Sequence, residues 1–427
     1  MDDPIIRDLI AAEQRRQASM LTLIPSENHA SKQVLDALGS VLSDKYSEGY
    51  PGKRYYGGQE YTDKIETIAI QRAASLFRAD HANVQPHSGA QANEAVYHGW
   101  LEPDDTVLAM DLGHGGHLTH GHPVTVLAKQ YNFIRYGMKD TATGEIDYDQ
   151  LRALAKKHKP KIILAGFSAY PRELDYAKFA EIGEEVGAVL MADMAHISGL
   201  IAGGALKNPF DFGFHIMTTT THKTLRGPRG GMVLSKGIAG NPLKKPAKTI
   251  ENLPTIIDRT VFPGVQGGPQ MHAIAAKAVA FHEAAQPEFA TYAKQVVANA
   301  KQLANELLTR GFQLVTGGTD NHLILLNVHQ SFGIDGNEAE AAMEKIGLIM
   351  NKNAVPDDTL PPFRPSGLRL GTPAITSRGF VEDDMAQLAE LMQNAIEHRS
   401  DDKKLALLKG HVDELTKLYP LPSLKSE

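Results

Sequence analysis

Short apolar runs alternate along this chain with segments of helical periodicity, and this alternation constrains the fold more than any other feature. We predict strands at Thr106–Met110, Lys161–Phe167, Ala188–Ala192 and Phe214–Met217, with a helix at Tyr176–Val186 between two of them. Strands separated by helices favour a mostly parallel sheet covered by helices on both faces. Ligand-binding groups are then expected at the carboxyl ends of the strands.

The C-terminal part of the chain predicts a smaller α/β domain. A long helix is expected from about residue 272 to residue 309, followed by a strand at Leu323–Val328 and a helix at Asn337–Lys345. Two further helices are expected near Asp383–Glu397 and Lys403–Leu418. Because 427 residues exceed the usual size of one domain, we expect a large domain at 1–275 and a small one at 276–427.

The N-terminal region contains an expected helix and a long irregular stretch. Residues from Asp3 to about Met20 predict an amphipathic helix with Ile6, Leu9 and Ile10 on one side. Residues 21–58 contain many turn residues and little regular pattern. Such a stretch inside a compact protein is usually functional.

The composition excludes several classes of protein. A net charge of −6 offers no electrostatic footprint for nucleic acid or an anionic membrane. The absence of cysteine excludes disulfides and thiolate metal sites. No apolar run approaches the roughly 18 residues of a membrane span, and the acidic start is unlike a signal peptide. We therefore expect a cytoplasmic protein with no nucleic-acid or membrane partner.

A lysine and an aspartate near predicted strands are the first candidates for chemistry. Lys223 follows a run of threonines, in a predicted loop too polar to be core, and a neutral lysine amine withdrawn from water can attack carbonyl groups. Asp193 ends an apolar run, where it could keep a pyridine nitrogen protonated. The alternatives are a solvated loop lysine and a helix N-cap. Together, the two residues favour a pyridine-aldehyde cofactor.

Two weaker signals concern anions. Ser88 and Gly89 open a predicted helix, where free backbone N–H groups and the helix dipole favour a phosphate. Arg369 alternates with leucines on a short strand, and its planar guanidinium group suits a substrate carboxylate. A common Ser-Gly turn and a surface arginine are the respective alternatives.

Four histidines lie in the tract His114–His122, which invites a metal assignment. The nearby carboxylates are limited to Asp111, and the glycine-rich spacing gives no helical pair of ligands. We expect no metal site here. A single histidine stacked on an aromatic cofactor fits the tract better.

A series of motifs runs, in order and spacing, over nearly the whole chain: Leu23–Asn28, Lys45–Gly58, Asn83–Gly89, His114–Gly121, Asp193–His196, Thr221–Thr224 and Gly371–Ala374. This series resembles the serine hydroxymethyltransferase family of fold-type-I pyridoxal-phosphate transferases. The segment from Tyr46 to Gly58 is the most specific, because general fold-type-I aminotransferases and aldolases lack it. The resemblance implies transfer of the serine hydroxymethyl carbon to tetrahydrofolate, giving glycine and 5,10-methylenetetrahydrofolate, through a Schiff base with pyridoxal 5'-phosphate.

The resemblance also implies roles for residues at matching positions. The catalytic residues are expected to be Lys223, Glu48, Asp193, His222 and Tyr56. The cofactor is expected to contact Lys223, Asp193, His196, His117, Ser88, Gly89, Ser168, His222, Tyr46, Gly267 and Gly268. The amino-acid substrate is expected to contact Arg369, Ser26, Tyr56 and Glu48. Tetrahydrofolate, as co-substrate, is expected to contact Leu112, Gly116, His117, Leu118, Asn353 and Phe363. A homodimer is implied, because Tyr46 with Gly267 and Gly268 is expected to serve the partner subunit.

Two positions depart from the family pattern. Ala90 stands where the family usually offers the phosphate a second serine hydroxyl. Pro361-Pro362-Phe363 replaces a more usual Ser-Pro-Phe on the folate side. The alternatives are a folate-independent aldolase of threonine and related 3-hydroxy amino acids, and a non-catalytic binding protein, for example one that binds RNA.

Overall fold

The computed structural model describes residues 2–238 and 253–424, which form two compact units. One unit is Ala30–Ala293, and the other joins Met1–His29 to Lys294–Glu427. The division therefore lies further along the chain than the expected boundary at residue 275. The first 29 residues join the C-terminal unit because Leu21 and Leu23 are buried in its core.

Among the described residues, the helices are, in chain order, α1 (Pro4–Ser19), α2 (Lys32–Leu38), α3 (Glu60–Phe77), α4 (Gly89–Trp100), α5 (Leu127–Gln130), α6 (Tyr148–His158), α7 (Tyr176–Val186), α8 (Ser198–Ala202), α9 (Leu253–Arg259), α10 (Met271–Ala284), α11 (Pro287–Thr309), α12 (Val328–Phe332), α13 (Gly336–Lys345), α14 (Pro373–Arg378), α15 (Met385–Glu397) and α16 (Asp402–Leu418). The strands are β1 (Leu21–Thr22), β2 (Gly49–Tyr50), β3 (Lys53–Arg54), β4 (His81–Asn83), β5 (Thr106–Met110), β6 (Asn132–Tyr136), β7 (Met138–Asp140), β8 (Glu145–Ile146), β9 (Ile162–Gly166), β10 (Val189–Asp193), β11 (Ile216–Thr220), β12 (Gly231–Ser235), β13 (Gln313–Leu314), β14 (Leu323–Asn327), β15 (Leu348–Ile349), β16 (Asn351–Asn353) and β17 (Gly367–Gly371).

The unit Ala30–Ala293 is built on a sheet whose seven described strands have the order β4-β12-β11-β10-β9-β5-β6. The pairs from β11 to β6 are parallel, whereas β12 is antiparallel to both β11 and β4. The expected mostly parallel α/β sheet is confirmed. In the parallel part of the sheet, β9, β10 and β11 end side by side, with Asp193 in register with Gly166 and Thr218.

Helices cover both faces of this sheet. Val189 and Met191 of β10 belong to a buried cluster with Ala92 and Val96 of α4. Leu190 points to the opposite face, because side chains alternate along a strand. There it packs so closely on Gly183 of α7 that a Cβ at residue 183 would lie 2.6 Å from the Leu190 side chain.

The threonine run before Lys223 was predicted to be a polar loop, and this prediction is wrong. Thr218, Thr219 and Thr220 form the end of β11 and are buried. Threonine is β-branched and suits a pleated strand, and its hydroxyl can be satisfied inside a core. Thr220 Oγ1 donates to the backbone oxygen of Ala195 at 3.2 Å, which shows how the polar groups are accommodated.

The prediction of a single long helix between residues 272 and 309 is also wrong. It is divided into α10 and α11, with Ala285 and Gln286 between them. Pro287 is the first residue of α11, where proline is favoured because the first helical N–H groups have no partner within the helix. The division between the two units falls within α11, between Ala293 and Lys294 in the sequence.

The unit formed by Met1–His29 and Lys294–Glu427 contains an antiparallel sheet with the order β13-β14-β17-β16. In addition, β1 pairs in parallel with β15, Leu21 opposite Leu348. The core beneath the sheet includes Ile324, Leu370 and Met392. The expected amphipathic helix exists as α1, but the apolar side chains of Ile6, Leu9 and Ile10 are exposed.

Candidate active site at the carboxyl ends of the parallel strands

The carboxylate of Asp193 lies at the end of β10 and is held by three hydrogen bonds. Its Oδ2 atom accepts from Asn93 Nδ2 at 2.8 Å and is 3.0 Å from His120 Nε2. Its Oδ1 atom accepts from the backbone N–H of Ala195 at 3.1 Å. Since Asp193 is only 7% exposed, these partners fix the carboxylate in one orientation.

The surroundings of Asp193 keep it ionised. Burial by itself raises the pKa of a carboxyl group, because it penalises the charged form. At Asp193 this effect is outweighed by the hydrogen bond and charge of His120, the charge of His117 and the hydrogen bond from Asn93, so the pKa lies well below its usual range. A fixed anion of this kind suits a protonated ring nitrogen.

Asn93 and His120 were not identified from the sequence, although both contact Asp193. Asn93 lies on α4, and its amide also donates to Thr119 Oγ1 at 2.8 Å and accepts from Thr218 Oγ1 at 2.6 Å. The available signals were a polar residue on an otherwise buried helix face and a second histidine three residues after His117. Neither signal indicates that the contact is Asp193, because Asp193 is distant in sequence from both residues.

His117 is half-buried, and its ring is oriented by contacts with the short helical turn that follows it. Its Nδ1 atom accepts the backbone N–H of Thr119 at 3.2 Å and lies 2.7 Å from Thr119 Oγ1. In the neutral ring this arrangement places the proton on Nε2. The ring lies 5.6 Å from that of His120, centroid to centroid.

The histidine tract does meet a carboxylate that is distant in the sequence, that of Asp193. Within the described part of the chain, His117, His120 and Asp193 offer ligand atoms within 4.8 Å of one another. The Asp193 oxygen nearest His120 is already occupied by the hydrogen bonds from Asn93 and His120. The arrangement is therefore a hydrogen-bonded cluster, and we assign no metal to it.

Ser168 and Gly116 lie together beside this cluster. Ser168 Oγ donates to the Gly116 oxygen at 3.1 Å, and the Ser168 N–H donates to the Gly115 oxygen at 2.8 Å. Gly116 is buried so tightly that a Cβ there would lie 2.3 Å from the Met110 oxygen. Leu112 and Leu118, on either side of Gly116, are exposed apolar side chains.

Lys223 follows β11 and is 9% exposed, so it is not the solvated lysine of the alternative interpretation. Hydrogen bonds fix the loop on both sides of Lys223. Thr221 Oγ1 donates to the Pro228 oxygen at 2.6 Å, and Thr224 Oγ1 donates to the His196 oxygen at 2.9 Å. His196, itself buried, follows β10, so the Lys223 loop and the Asp193 segment are held against each other.

A cradle with the properties of an anion site lies at the start of α4. Ser88 caps the helix and accepts from the Gln91 N–H at 3.3 Å. A Cβ at Gly89 would lie 2.7 Å from Thr220 Cγ2, so only glycine permits this close approach. The next residue along, Ala90, is exposed at the helix start.

His222 adds a buried polar atom without a partner. Its Nδ1 atom makes no hydrogen bond to any of the described residues. Burial, with the charges of Arg229 and Lys223, lowers the pKa of His222 to about 3, so its ring is neutral at pH 7. A ligand that exchanges a hydrogen bond with Nδ1 would satisfy this group. The amine, the carboxylate, the helix start and this histidine together fit pyridoxal phosphate.

The segment before Gly58 brings a second group of predicted residues together. Tyr46 donates its hydroxyl to Glu48 Oε1 at 3.1 Å, and the Tyr46 and Tyr56 rings meet edge to face with centroids 5.1 Å apart. A Cβ at Gly268 would lie 3.0 Å from the Tyr46 ring, and one at Gly267 would lie 3.5 Å from Glu48 Oε1. Tyr46 is 54% exposed, so this group lies at the surface of the chain.

The remaining predicted residues, Arg369, Ser26, Asn353 and Phe363, belong to the other unit. Arg369 lies on β17, where burial lowers its pKa to about 10, and its Nε donates to Asn351 Oδ1 at 3.2 Å. The turn that carries Ser26 packs on the end of the same strand, since the Gly371 N–H donates to the Leu23 oxygen at 2.7 Å.

Asn353 lies beside the start of β17, and Phe363 precedes that strand in the chain. Asn353 of β16 is opposite Gly367. Phe363 is exposed, as are the neighbouring Pro361 and Pro362.

Two further observations bear on the class of protein. Within the described ranges, no helix has both the length and the apolar character that crossing a membrane requires. Residues 1–392 match the family model described as serine hydroxymethyltransferase. Members of this family are pyridoxal-phosphate enzymes acting in serine and glycine one-carbon metabolism. The match covers most of the chain, and the chain therefore belongs to the serine hydroxymethyltransferase family.

Proposed function

We propose that this protein carries out the family reaction in full, the reversible transfer of the serine hydroxymethyl carbon to tetrahydrofolate with formation of glycine and 5,10-methylenetetrahydrofolate. Pyridoxal phosphate is the proposed cofactor, attached to Lys223. The observation that carries the proposal is the buried, ionised Asp193 beside the loop of Lys223, in a chain whose residues 1–392 match the family.

Asp193 and Lys223 are proposed to hold opposite ends of the cofactor. Lys223 supplies the amine that binds the aldehyde carbon, and Asp193 retains a proton on the ring nitrogen because its own pKa is low. When bound, the protonated ring accepts the electron pair of the breaking Cα–Cβ bond. His117 is proposed to stack on the ring, with Ser168 and His196 close to its 3'-oxygen.

The phosphate is proposed to bind at the start of α4. Ser88 and Gly89 offer the helix N-terminus, and the Nδ1 atom of His222, which has no partner among the described residues, can take part in one hydrogen bond. Tyr46, Gly267 and Gly268 are proposed to complete a phosphate site from the partner subunit. Their surface position on the single chain supports this assignment.

The substrate is proposed to be clamped by its carboxylate. Arg369, with Ser26 and Tyr56, would bind this group so that the breaking bond stands perpendicular to the ring. Glu48 is proposed to handle the proton of the substrate hydroxyl or to assist attack by folate. The pterin is proposed to lie against Leu112, Gly116, His117, Leu118, Asn353 and Phe363.

A cytoplasmic homodimer is the proposed form of the enzyme. Tyr46, Tyr55, Tyr56 and Tyr61 are all exposed large side chains of one region, which favours cover by a second copy of the chain. Sedimentation should give a dimer with activity, and an active monomer would contradict shared active sites.

Folate dependence decides between the proposed transferase and an aldolase that uses the same lysine chemistry. The rate of serine cleavage is measured with and without tetrahydrofolate at equal enzyme concentration. We expect strong stimulation, because tetrahydrofolate accepts the one-carbon unit that leaves serine. An unstimulated rate would favour the aldolase, and protein that stays colourless with pyridoxal phosphate would favour a non-catalytic role.

A further inference from the structure

A fully buried lysine lies behind the phosphate end of the candidate site and has no part in the chemistry described so far. Lys277, on α10, is 2% exposed. Its Nζ atom donates to three backbone oxygens, those of Val84 at 2.7 Å, Pro86 at 3.1 Å and Gly231 at 2.8 Å. An ammonium group has three N–H donors, so these carbonyls match its capacity.

The three carbonyls belong to the two chain segments that build the candidate site. The segment through Pro86 leads directly into Ser88 and Gly89, and Gly231 closes the loop that carries Lys223. The two segments meet at the lysine, because the Gly231 N–H donates to the Pro86 oxygen at 2.9 Å. A Cβ at Gly231 would lie only 2.4 Å from the Ser88 oxygen, which shows how closely the segments are packed.

The other side of Lys277 is equally constrained. A Cβ at Gly230 would lie 2.5 Å from Lys277 Cε, so glycine is required for the lysine to reach its acceptors. The titratable groups that face it are Glu66, whose charge raises the pKa of the lysine, and His87 and His222, whose pKa values the charge of the lysine helps to lower. Burial lowers the pKa of Lys277 to about 7. The three carbonyl acceptors nevertheless fit the charged form, because only an ammonium group has three N–H donors and a neutral amine has two.

We propose that Lys277 is a positioning residue for the phosphate end of the cofactor site, where it joins the Ser88–Gly89 turn to the Lys223 loop and places a buried positive charge behind the phosphate. This inference rests on the proposed function, because it assumes that the cradle receives the phosphate of pyridoxal phosphate. It predicts that Lys277 strengthens the binding of the phosphate group and does not affect the binding of the ring.

The test compares two ligands that differ only in the phosphate. Dissociation constants for pyridoxal phosphate and for pyridoxal are measured on cofactor-stripped full-length protein. Lys277→Met, of similar length but without charge or donors, is expected to weaken pyridoxal phosphate on the order of 10- to 100-fold, the range for hydrogen bonds to a charged group. Binding of pyridoxal is expected to change by less than about threefold, since its ring contacts remain.

Chemical rescue separates the charge from packing. Lys277→Ala leaves room for propylammonium, which should restore much of the pyridoxal phosphate affinity, whereas propanol should not. Lys277→Met should respond to neither compound, because its side chain fills the space. Should Lys277→Met not fold, Lys277→Gln keeps two donors without the charge and supports the same comparison of the two ligands.

Arg378 provides the control for simple destabilisation. It lies in the other unit, and its guanidinium group likewise donates to backbone oxygens, among them those of Met20 at 2.7 Å and Tyr419 at 2.6 Å. Arg378→Met should lower the melting temperature without changing the affinity ratio of the two ligands. Equal losses for both ligands in Lys277→Met would overturn the positioning role. Wild-type protein that binds neither ligand would instead refute the proposed function.

Discussion

Asp193 and Glu48 are both carboxylates of the candidate site, yet their surroundings are opposite. Asp193 is buried and held by Asn93, His120 and the Ala195 N–H within one chain. Glu48 is half-buried and receives a hydrogen bond from Tyr46, whose ring is mostly exposed.

This difference indicates two kinds of function. A fully satisfied buried network costs nothing to reorganise during a reaction, which suits a group that stabilises charge on the cofactor. A carboxylate at the surface of a single chain can meet substrate, folate or a second subunit. We infer that the Asp193 network, at the ring end of the cofactor site, is complete within one chain, whereas the Glu48 end is completed by other molecules.

The largest expected effect concerns the buried member of the comparison. In Asp193→Asn the ring nitrogen loses its anionic partner, so kcat for serine cleavage should fall on the order of 10³-fold, as when one preorganised electrostatic partner is removed elsewhere. The loss should be the same with and without folate. A loss below tenfold would show that Asp193 is not an electrostatic partner of the cofactor.

The half-buried carboxylate, Glu48, should give a smaller effect. Glu48→Gln keeps the shape and removes the proton transfer, so folate-dependent turnover should fall roughly 10²-fold. Folate-free cleavage of a 3-hydroxy amino acid by the same variant is the control. An equal loss assigns Glu48 to the substrate hydroxyl, and no loss assigns it to folate. Undiminished folate-dependent turnover would remove Glu48 from the mechanism.

Ala90 is a position at which a substitution could increase the affinity for the cofactor phosphate. The substitution Ala90→Ser adds a hydroxyl at the exposed start of α4, and one extra hydrogen bond of about 1 kcal/mol should tighten pyridoxal phosphate binding by about fivefold. Pyridoxal affinity should stay constant. If both affinities are unchanged, the side chain at position 90 does not face the phosphate.

The smallest expected effect is a flat pH profile for Asp193. Its folded pKa is depressed, so the stability it contributes is fully present above the unfolded value of about 3.9 and is lost as pH falls through the folded value. The difference in unfolding free energy between wild type and Asp193→Asn, from urea denaturation in the same cofactor state, should therefore be constant between about pH 5 and pH 9. A slope across that range would contradict a permanently ionised Asp193.

The sequence predicted the sheet well where strands are continuous apolar runs. The strand at Thr106–Met110 and the helix at Tyr176–Val186 have the predicted bounds. Prediction failed where composition misled, as in the buried Thr218–Thr220, whose polar groups are satisfied only by tertiary contacts. The division of the units at Ala293 also depends on tertiary packing, since Leu21 and Leu23 join a core formed mostly by residues beyond 300.

For the candidate site, the sequence predicted the groups that are proposed to do chemistry but not the buried groups that contact them in the structure. Lys223 and Asp193 were predicted from their positions after strands. His120, Asn93 and Lys277 were not, because each acts through a contact with a segment distant in sequence. Nothing in the local pattern around a buried lysine on a helix indicates which carbonyls it binds.

The covalent attachment of the cofactor is the central claim, and reduction of the protein with borohydride in the presence of pyridoxal phosphate tests it most directly. Peptide mapping of the reduced protein should then place the cofactor label on Lys223, whose amine is nearly buried beside the Asp193 segment. Label on any other lysine, or none at all, would contradict the account.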